Sequence, residues 1–223
     1  MTKIAVILAG CGHQDGSEIR EAVITLLALD HYGAEVQCFA PNRPQVDVIN
    51  HMTSAKKTQE RNILEEAARI ARGNIKELGT LKAEDFDGLI MPGGFGMAKN
   101  FSTMLTDPDN VTAKEDIKAI ILGFHKAGKP IGAMCIAPIV VAAALGGGIK
   151  PHLTVGEYSA TLANLGATQE VCESEQICVD NDNRLVSCSA YMRDDKLGKI
   201  GDGIAALVMK VIEMAKKGKT YEV

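Results

Sequence analysis

The sequence predicts an α/β fold with a mostly parallel central sheet, helices on both faces and a C-terminal β-hairpin. Three observations predict it. Strand-type and helix-type segments alternate along the chain, which is the pattern of a sheet wound with helices. The strand segments are continuous apolar runs, as in strands covered on both faces. No linker, repeat or break in composition divides the 223 residues, so residues 1–223 read as one domain.

The first strand is 3–8, a β-branched run ending at Ala9-Gly10. Asp15-Gly16-Ser17-Glu18 then opens a helix to about residue 30, with Gly33 as its stop. A second strand, 35–39, ends at Pro41, and 41–58 is irregular and long enough to be a functional loop or small insertion. Residues 58–72 form an amphipathic helix followed by Gly73. The third strand, 87–91, closes at Pro92-Gly93-Gly94. A helix over 112–126 precedes the fourth strand, 130–134, and Cys135 stands at the corner after it. The next helix carries Pro138 in its first turn, where a missing N–H costs nothing. Residues 153–155 read as a short fifth strand and 159–165 as a short helix stopped by Gly166. Residues 176–179 and 185–188 flank Asp180-Asn181-Asp182-Asn183 and form the hairpin. A helix over 196–217 closes the chain, and the basic run Lys216-Lys217-Gly218-Lys219 reads as a solvated tail.

Composition excludes several classes. A hydrophobic fraction of 46% supports a large core, and 4% aromatics with no Trp make that core aliphatic. A net charge of −4 gives no general attraction to nucleic acid or anionic membrane. No apolar run reaches the ~18 residues of a membrane span, and 3–10 is too short for a secretory signal. The six cysteines, Cys11, Cys38, Cys135, Cys172, Cys178 and Cys188, form no C-x-x-C pair, so neither a zinc motif nor a disulfide scaffold is expected. Free thiols fit a reducing, cytoplasmic compartment, and no metal is expected.

In a parallel sheet the site lies at the carboxyl ends of the strands. Four loops fall there: residues 10–18, 92–100, Cys135 and Gly156-Glu157. Cys135 faces the N-terminus of the helix after it, whose dipole favours the nucleophilic thiolate. As a nucleophile at a strand-to-helix corner it should have an uncommon φ/ψ. A buried structural cysteine is the plainer alternative. Glu18 is either the second half of a capping box begun by Asp15 or a carboxyl aimed at Cys135. Gly93 and Gly94 form either a tight turn or an oxyanion hole. Gly10, Gly12 and Gly16 are spaced one residue too long for a dinucleotide fingerprint, and the second strand ends without an acid. No cofactor is expected.

These residues carry a resemblance. Leu89-Ile90-Met91-Pro92-Gly93-Gly94-Phe95-Gly96 and Gly132-Ala133-Met134-Cys135 resemble the PfpI and class I glutamine amidotransferase-like superfamily. Residues 7–19, 45–51 and 93–100, with Met134-Cys135-Ile136-Ala137-Pro138, resemble its ElbB-like branch, named for enhancing lycopene biosynthesis. The resemblance spans nearly the whole chain. It implies a flavodoxin-like three-layer sandwich, usually a homodimer. It implies Cys135 as nucleophile, Glu18 as the acid beside it, and Gly94 with Ile136 as oxyanion donors. Gly93 and Asn100 join them as substrate-binding candidates, and Cys11 and His13 as further residues of the pocket. The superfamily's histidine is missing, because Ile136 follows Cys135 and no His lies beyond His152. Glutaminase and peptidase chemistry need a general acid for the leaving amine, so the departure argues against both. A Cys–Glu pair suits a cofactor-independent glyoxalase acting on a small aldehyde, an activity linked to this branch. The alternative is a non-enzymatic thiol sensor or binding protein linked to isoprenoid metabolism.

Overall fold

The apolar runs become strands and the polar punctuation falls at their ends. A computed structural model describes residues 1–218; Lys219, the last lysine of the C-terminal basic run, lies outside them. Along the chain, β1 (Lys3–Ile7) leads through α1 (Ile19–His31) to β2 (Glu35–Ala40). A small hairpin, β3 (Ile49–Asn50) and β4 (Ala55–Lys56), precedes α2 (Ile63–Ile70) and β5 (Ile75–Glu77). Then come β6 (Gly88–Met91), α3 (Phe95–Asn100), α4 (Glu115–Lys126), β7 (Ile131–Met134) and α5 (Ala137–Leu145). A short pair, β8 (His152–Leu153) and β9 (Thr168–Gln169), brackets α6 (Ala160–Asn164). The hairpin β10 (Cys178–Asp180) and β11 (Leu185–Cys188) leads into α7 (Leu197–Lys217).

The central sheet has the order β10-β11-β7-β6-β1-β2-β5. All its pairings are parallel except β10 with β11. The fold is flavodoxin-like. The chain winds outward from β1 to β5, then returns to β6 on the other side of β1. The switch point is therefore the crevice at the carboxyl ends of β1 and β6. Strands β6, β7 and β11 are buried throughout. Each aliphatic side chain fully buried there contributes about 1.5–3 kcal/mol. Helices α1 and α7 pack together on one face, while α4 and α5 pack together against the other. Gly132 lets α7 approach β7 closely, since a Cβ there would stand 2.8 Å from Leu207 Cδ2.

Several boundaries differ from the sequence expectation, and one difference moves the site. Helix α1 begins at Ile19, not at Asp15, because residues 10–18 close on themselves. Gly12 N–H donates to Ser17 O (2.8 Å) and Gly16 N–H to Gly12 O (2.7 Å). Glu18 is thus the N-cap, its carboxylate accepting the Glu21 N–H at 2.7 Å. Helix α2 starts at Ile63 because Asn62 caps it, accepting from Leu64 and Glu65. The expected fifth strand lies outside the central sheet, in the β8–β9 pair, so the last parallel strand is β11.

Candidate active site

The elbow is built by two adjacent strand ends. β7 ends at Met134, α5 begins at Ala137, and Cys135 turns the chain between them with φ of 59°. That left-handed conformation is costly for a residue with a Cβ and occurs where a side chain must stand out of the sheet. It is the uncommon backbone that the corner predicts. After β6, Gly93 and Gly94 run beside the elbow. A Cβ on Gly93 would lie 2.4 Å from Cys135 Cβ and 2.9 Å from its Sγ, so glycine is required for the loop to pass. Gly94 has φ of 99°, and a Cβ there would meet Glu18 N and Gly16 O.

The carboxyl in contact with Cys135 belongs to Glu21. This corrects the expectation for Glu18, whose carboxylate caps α1. One turn into α1, Glu21 points into the sheet and is fully buried. Its Oε2 accepts the Gly93 N–H at 2.7 Å and its Oε1 the Tyr191 N–H at 3.2 Å. The Cys135 thiol donates to it. Burial, reinforced by the charge of Glu18, pushes the Glu21 carboxyl up to about 7 against those two N–H donors. Burial and then the Glu21 charge also push the Cys135 thiol well above the ordinary value, although the N–H groups of Gly94 and Ile136 donate to its sulfur. The helix-dipole argument for a ready thiolate is therefore outweighed: Cys135 is only 7% exposed, and desolvation acts first. The pair retains at least one proton at neutral pH.

A cavity of about 210 Å³ opens over the sulfur. His13, Glu18 and Phe95 form one side of it, Tyr191 and Met192 the other, with Gly94 and Ile136 at the elbow itself. The Arg20 guanidinium donates to Tyr191 Oη at 3.0 Å and fixes that ring. Tyr191 and Met192 follow β11; they were missed because the last parallel strand was read at 153–155. Gly156-Glu157, expected there instead, lies away from the cavity, and Glu157 pairs with Arg193.

The remaining expected residues divide. The N–H groups of Gly94 and Ile136 lie at the sulfur and act to lower the pKa of the thiol. The N–H of Gly93 does not, because it is held by Glu21. Asn100 is not a substrate contact: its side chain is buried and fully engaged. It donates to Ala9 O (3.0 Å) and Asp15 O (3.2 Å) and accepts from Val46 N–H (2.9 Å). Cys11 lies among the charges of Glu66, Arg69, Asp15 and Arg61 and does not line the cavity. His13 does line it, its ring set edge-on against His51 at 5.0 Å. The glycines of 10–16 form no phosphate cradle, since the N–H groups of Gly12 and Gly16 bond within the loop.

Comparison with known proteins shows the family and the fold. The chain is 42% identical to the human glutamine amidotransferase-like class 1 domain-containing protein 3, mitochondrial, over 96% of this chain and 84% of that protein. It is 40% identical to the rat ES1 protein homolog, mitochondrial, over 96% and 85% respectively. The crystal structure of an isoprenoid biosynthesis protein with amidotransferase-like domain from Ehrlichia chaffeensis superposes with a TM-score of 0.92 at 42% identity. That match covers 96% of this chain and 99% of the other. The expected cytoplasmic location is corrected by these relatives, two of which carry mitochondrial names at 40–42% identity. Free thiols do not distinguish one compartment from another. Among the described residues no helix is long and apolar enough to cross a membrane. The sequence pattern of the DJ-1/PfpI family matches residues 3–195, and the chain belongs to that family.

Proposed function

We propose that this protein is a cofactor-independent glyoxalase-type enzyme that converts small 2-oxoaldehydes such as glyoxal and methylglyoxal to 2-hydroxy acids. One observation carries the reading: the buried carboxyl of Glu21 touches the Cys135 thiol at a strained elbow that opens into a small cavity. Glu21 takes the thiol proton as sulfur attacks the aldehyde carbon C1. The oxyanion formed on C1 faces the N–H groups of Gly94 and Ile136 and regains that proton, which leaves a hemithioacetal. The Glu21 carboxylate then removes the C1 hydrogen, and the electrons move toward the C2 carbonyl. Returning the hydrogen to C2, with the O1 proton passing to O2, gives a 2-hydroxy thioester. Water cleaves it to the acid and restores the thiol. C1 is oxidised and C2 reduced within one molecule, so no external electron acceptor is needed. A carboxyl poised near pH 7 suits both directions of proton transfer. His13 and Glu18 are further proton-carrying side chains, both lining the cavity.

A thiol sensor calls for an exposed thiolate of low pKa. The burial of Cys135 and its raised pKa weigh against that alternative. We also propose that the protein acts as a homodimer through α1. The chemistry is tested by incubating purified protein with methylglyoxal in D2O and following lactate by NMR. Lactate from the wild type, and none from Cys135→Ser, is expected. Equal turnover by both overturns the reading.

A further inference from the structure

We propose that His152, Glu170 and Cys178 form a binding site for one divalent transition-metal ion of the Zn2+ type. The three residues fall within one 27-residue stretch but match no ligand-spacing motif, and the pairing of short strands brings them together. His152 is on β8, Glu170 directly follows β9, and Cys178 is on β10. One ligand atom from each lies within 4.8 Å of the other two. His152 Nε2 and a Glu170 carboxylate oxygen are 3.7 Å apart. Tetrahedral zinc, with metal–ligand distances of about 2.0–2.3 Å, sets its ligand atoms roughly 3.3–3.8 Å from one another. Small rotations of two half-exposed side chains therefore complete the geometry.

The backbone under these ligands is held firmly. Asp180, two residues beyond Cys178 on the same face of β10, accepts the His152 N–H at 2.8 Å. Asp180 is itself fixed by Asn183, whose N–H and side-chain amide donate at 2.9 and 2.8 Å. The Glu170 N–H donates to Leu153 O at 3.2 Å. Asp180 is thus a positioning residue for the imidazole-bearing strand. Access is graded: His152 and Glu170 reach solvent, while Cys178 lies buried beneath them.

The donor set selects the ion. A thiolate, an imidazole and one carboxylate match zinc-type ions, whereas Ca2+ and Mg2+ take oxygen ligands. A thiolate and a carboxylate also cancel the charge of a divalent ion at this partly buried place. A free thiol holds its proton at neutral pH. Binding forms the sulfur–metal bond and releases the thiol proton to solvent. Three protein ligands leave a fourth position for water. The ion would clip β8, β9 and β10 together, and the site shares no residue with the elbow cavity.

Zn2+ and Co2+ titrations in the Cys135→Ser background test this, because the elbow thiol is then removed. One equivalent of Zn2+ is expected to bind, raise Tm and release about one proton, read by calorimetry in two buffers of different ionisation enthalpy. Bound Co2+ is expected to show thiolate-to-metal charge transfer in the near ultraviolet. His152→Ala and Glu170→Gln change surface side chains, so both should fold. Each is expected to weaken affinity at least tenfold, and their combination to remove the Tm shift. One-to-one binding that is unchanged in both variants, cobalt without a thiolate band, or no stoichiometric binding overturns the site.

Discussion

Glu21 and Cys135 place two acids in contact where neither is well solvated, and their titration should be visible in stability. The folded Glu21 carboxyl stands at about 7 against an ordinary 4.5, with burial the chief cause. Below its unfolded pKa both states hold the proton and the full contribution is present. As pH rises from the unfolded value to the folded one, the unfolded chain ionises while the buried carboxyl keeps its proton, and about 3 kcal/mol is lost. The urea midpoint of the wild type should therefore fall between about pH 4.5 and 7 through this group. Glu21→Gln should flatten that slope; identical slopes would mean the buried carboxyl is not the titrating group. The same substitution should abolish turnover of methylglyoxal, since an amide cannot accept the C1 hydrogen, while leaving Cys135 alkylation within about tenfold, ~1.4 kcal/mol. Glu18→Gln is the control. Its amide oxygen can still accept the Glu21 N–H, so turnover should persist and stability should change by about 1 kcal/mol or less. If Glu18→Gln is the inactive variant and Glu21→Gln the active one, the proton carrier has been assigned to the wrong carboxyl.

At the scale of elements, the loop after β6 and the short helix α3 hold the site in register, and two substitutions separate positioning from chemistry. Asn100→Ala removes three hydrogen bonds joining the loop after β1, its strand end and the segment at Val46. The buried groups left without partners should cost roughly 2–4 kcal/mol. Read as a lower Tm with an unchanged KM, this result fits bracing; a raised KM at unchanged Tm would restore Asn100 to the substrate. Gly93→Ala should be more damaging than its added volume suggests, because the new methyl occupies the space of the Cys135 side chain and displaces Glu21 Oε2, 2.7 Å away. The strands and the elbow were legible because β1, β6 and β7 are unbroken apolar runs, each ending in glycine, proline or cysteine. The residues alone left Glu18 open between a cap and a catalytic carboxyl, and the resemblance implied the second; with α1 starting at Ile19, Glu18 is the cap. The true phase was present in the sequence. Glu21, Thr25, Ala28 and Leu29 recur on one face of α1 and are all buried, so a charged residue in a core stripe marked the site. Strand β5 gave no such signal, since its three residues are Ile75, Lys76 and Glu77 at the sheet edge. Tyr191 and Met192 could be assigned only once the strand order was known.

For the whole molecule, the proposed dimer rests on the outer face of α1. Ile19, Val23 and Leu27 are 45%, 47% and 65% exposed and recur every fourth residue, so they form one apolar stripe. Contiguous exposed apolar surface of this kind marks an association site more often than a solvated face. The neighbouring helix α7 also carries the half-exposed Leu197 and Met209. A two-fold pairing would set α1 against its symmetry mate, an isologous contact. The stripe begins at Ile19, next to Glu18, and Arg20 on the same turn braces Tyr191 at the cavity. Association through α1 would therefore stiffen the helix that carries both Glu21 and the wall of the pocket. Sedimentation equilibrium should find a dimer for the wild type. Val23→Asp with Leu27→Asp should shift it to monomer at micromolar concentration, since like charges brought together in an apolar contact cost several kcal/mol. The monomeric variant should keep its fold, because neither side chain is part of the core, and should lose turnover through a less ordered Tyr191 and Met192 wall. A wild-type monomer, or a dimer untouched by both charges, would remove α1 as the interface and leave the pocket complete within one chain.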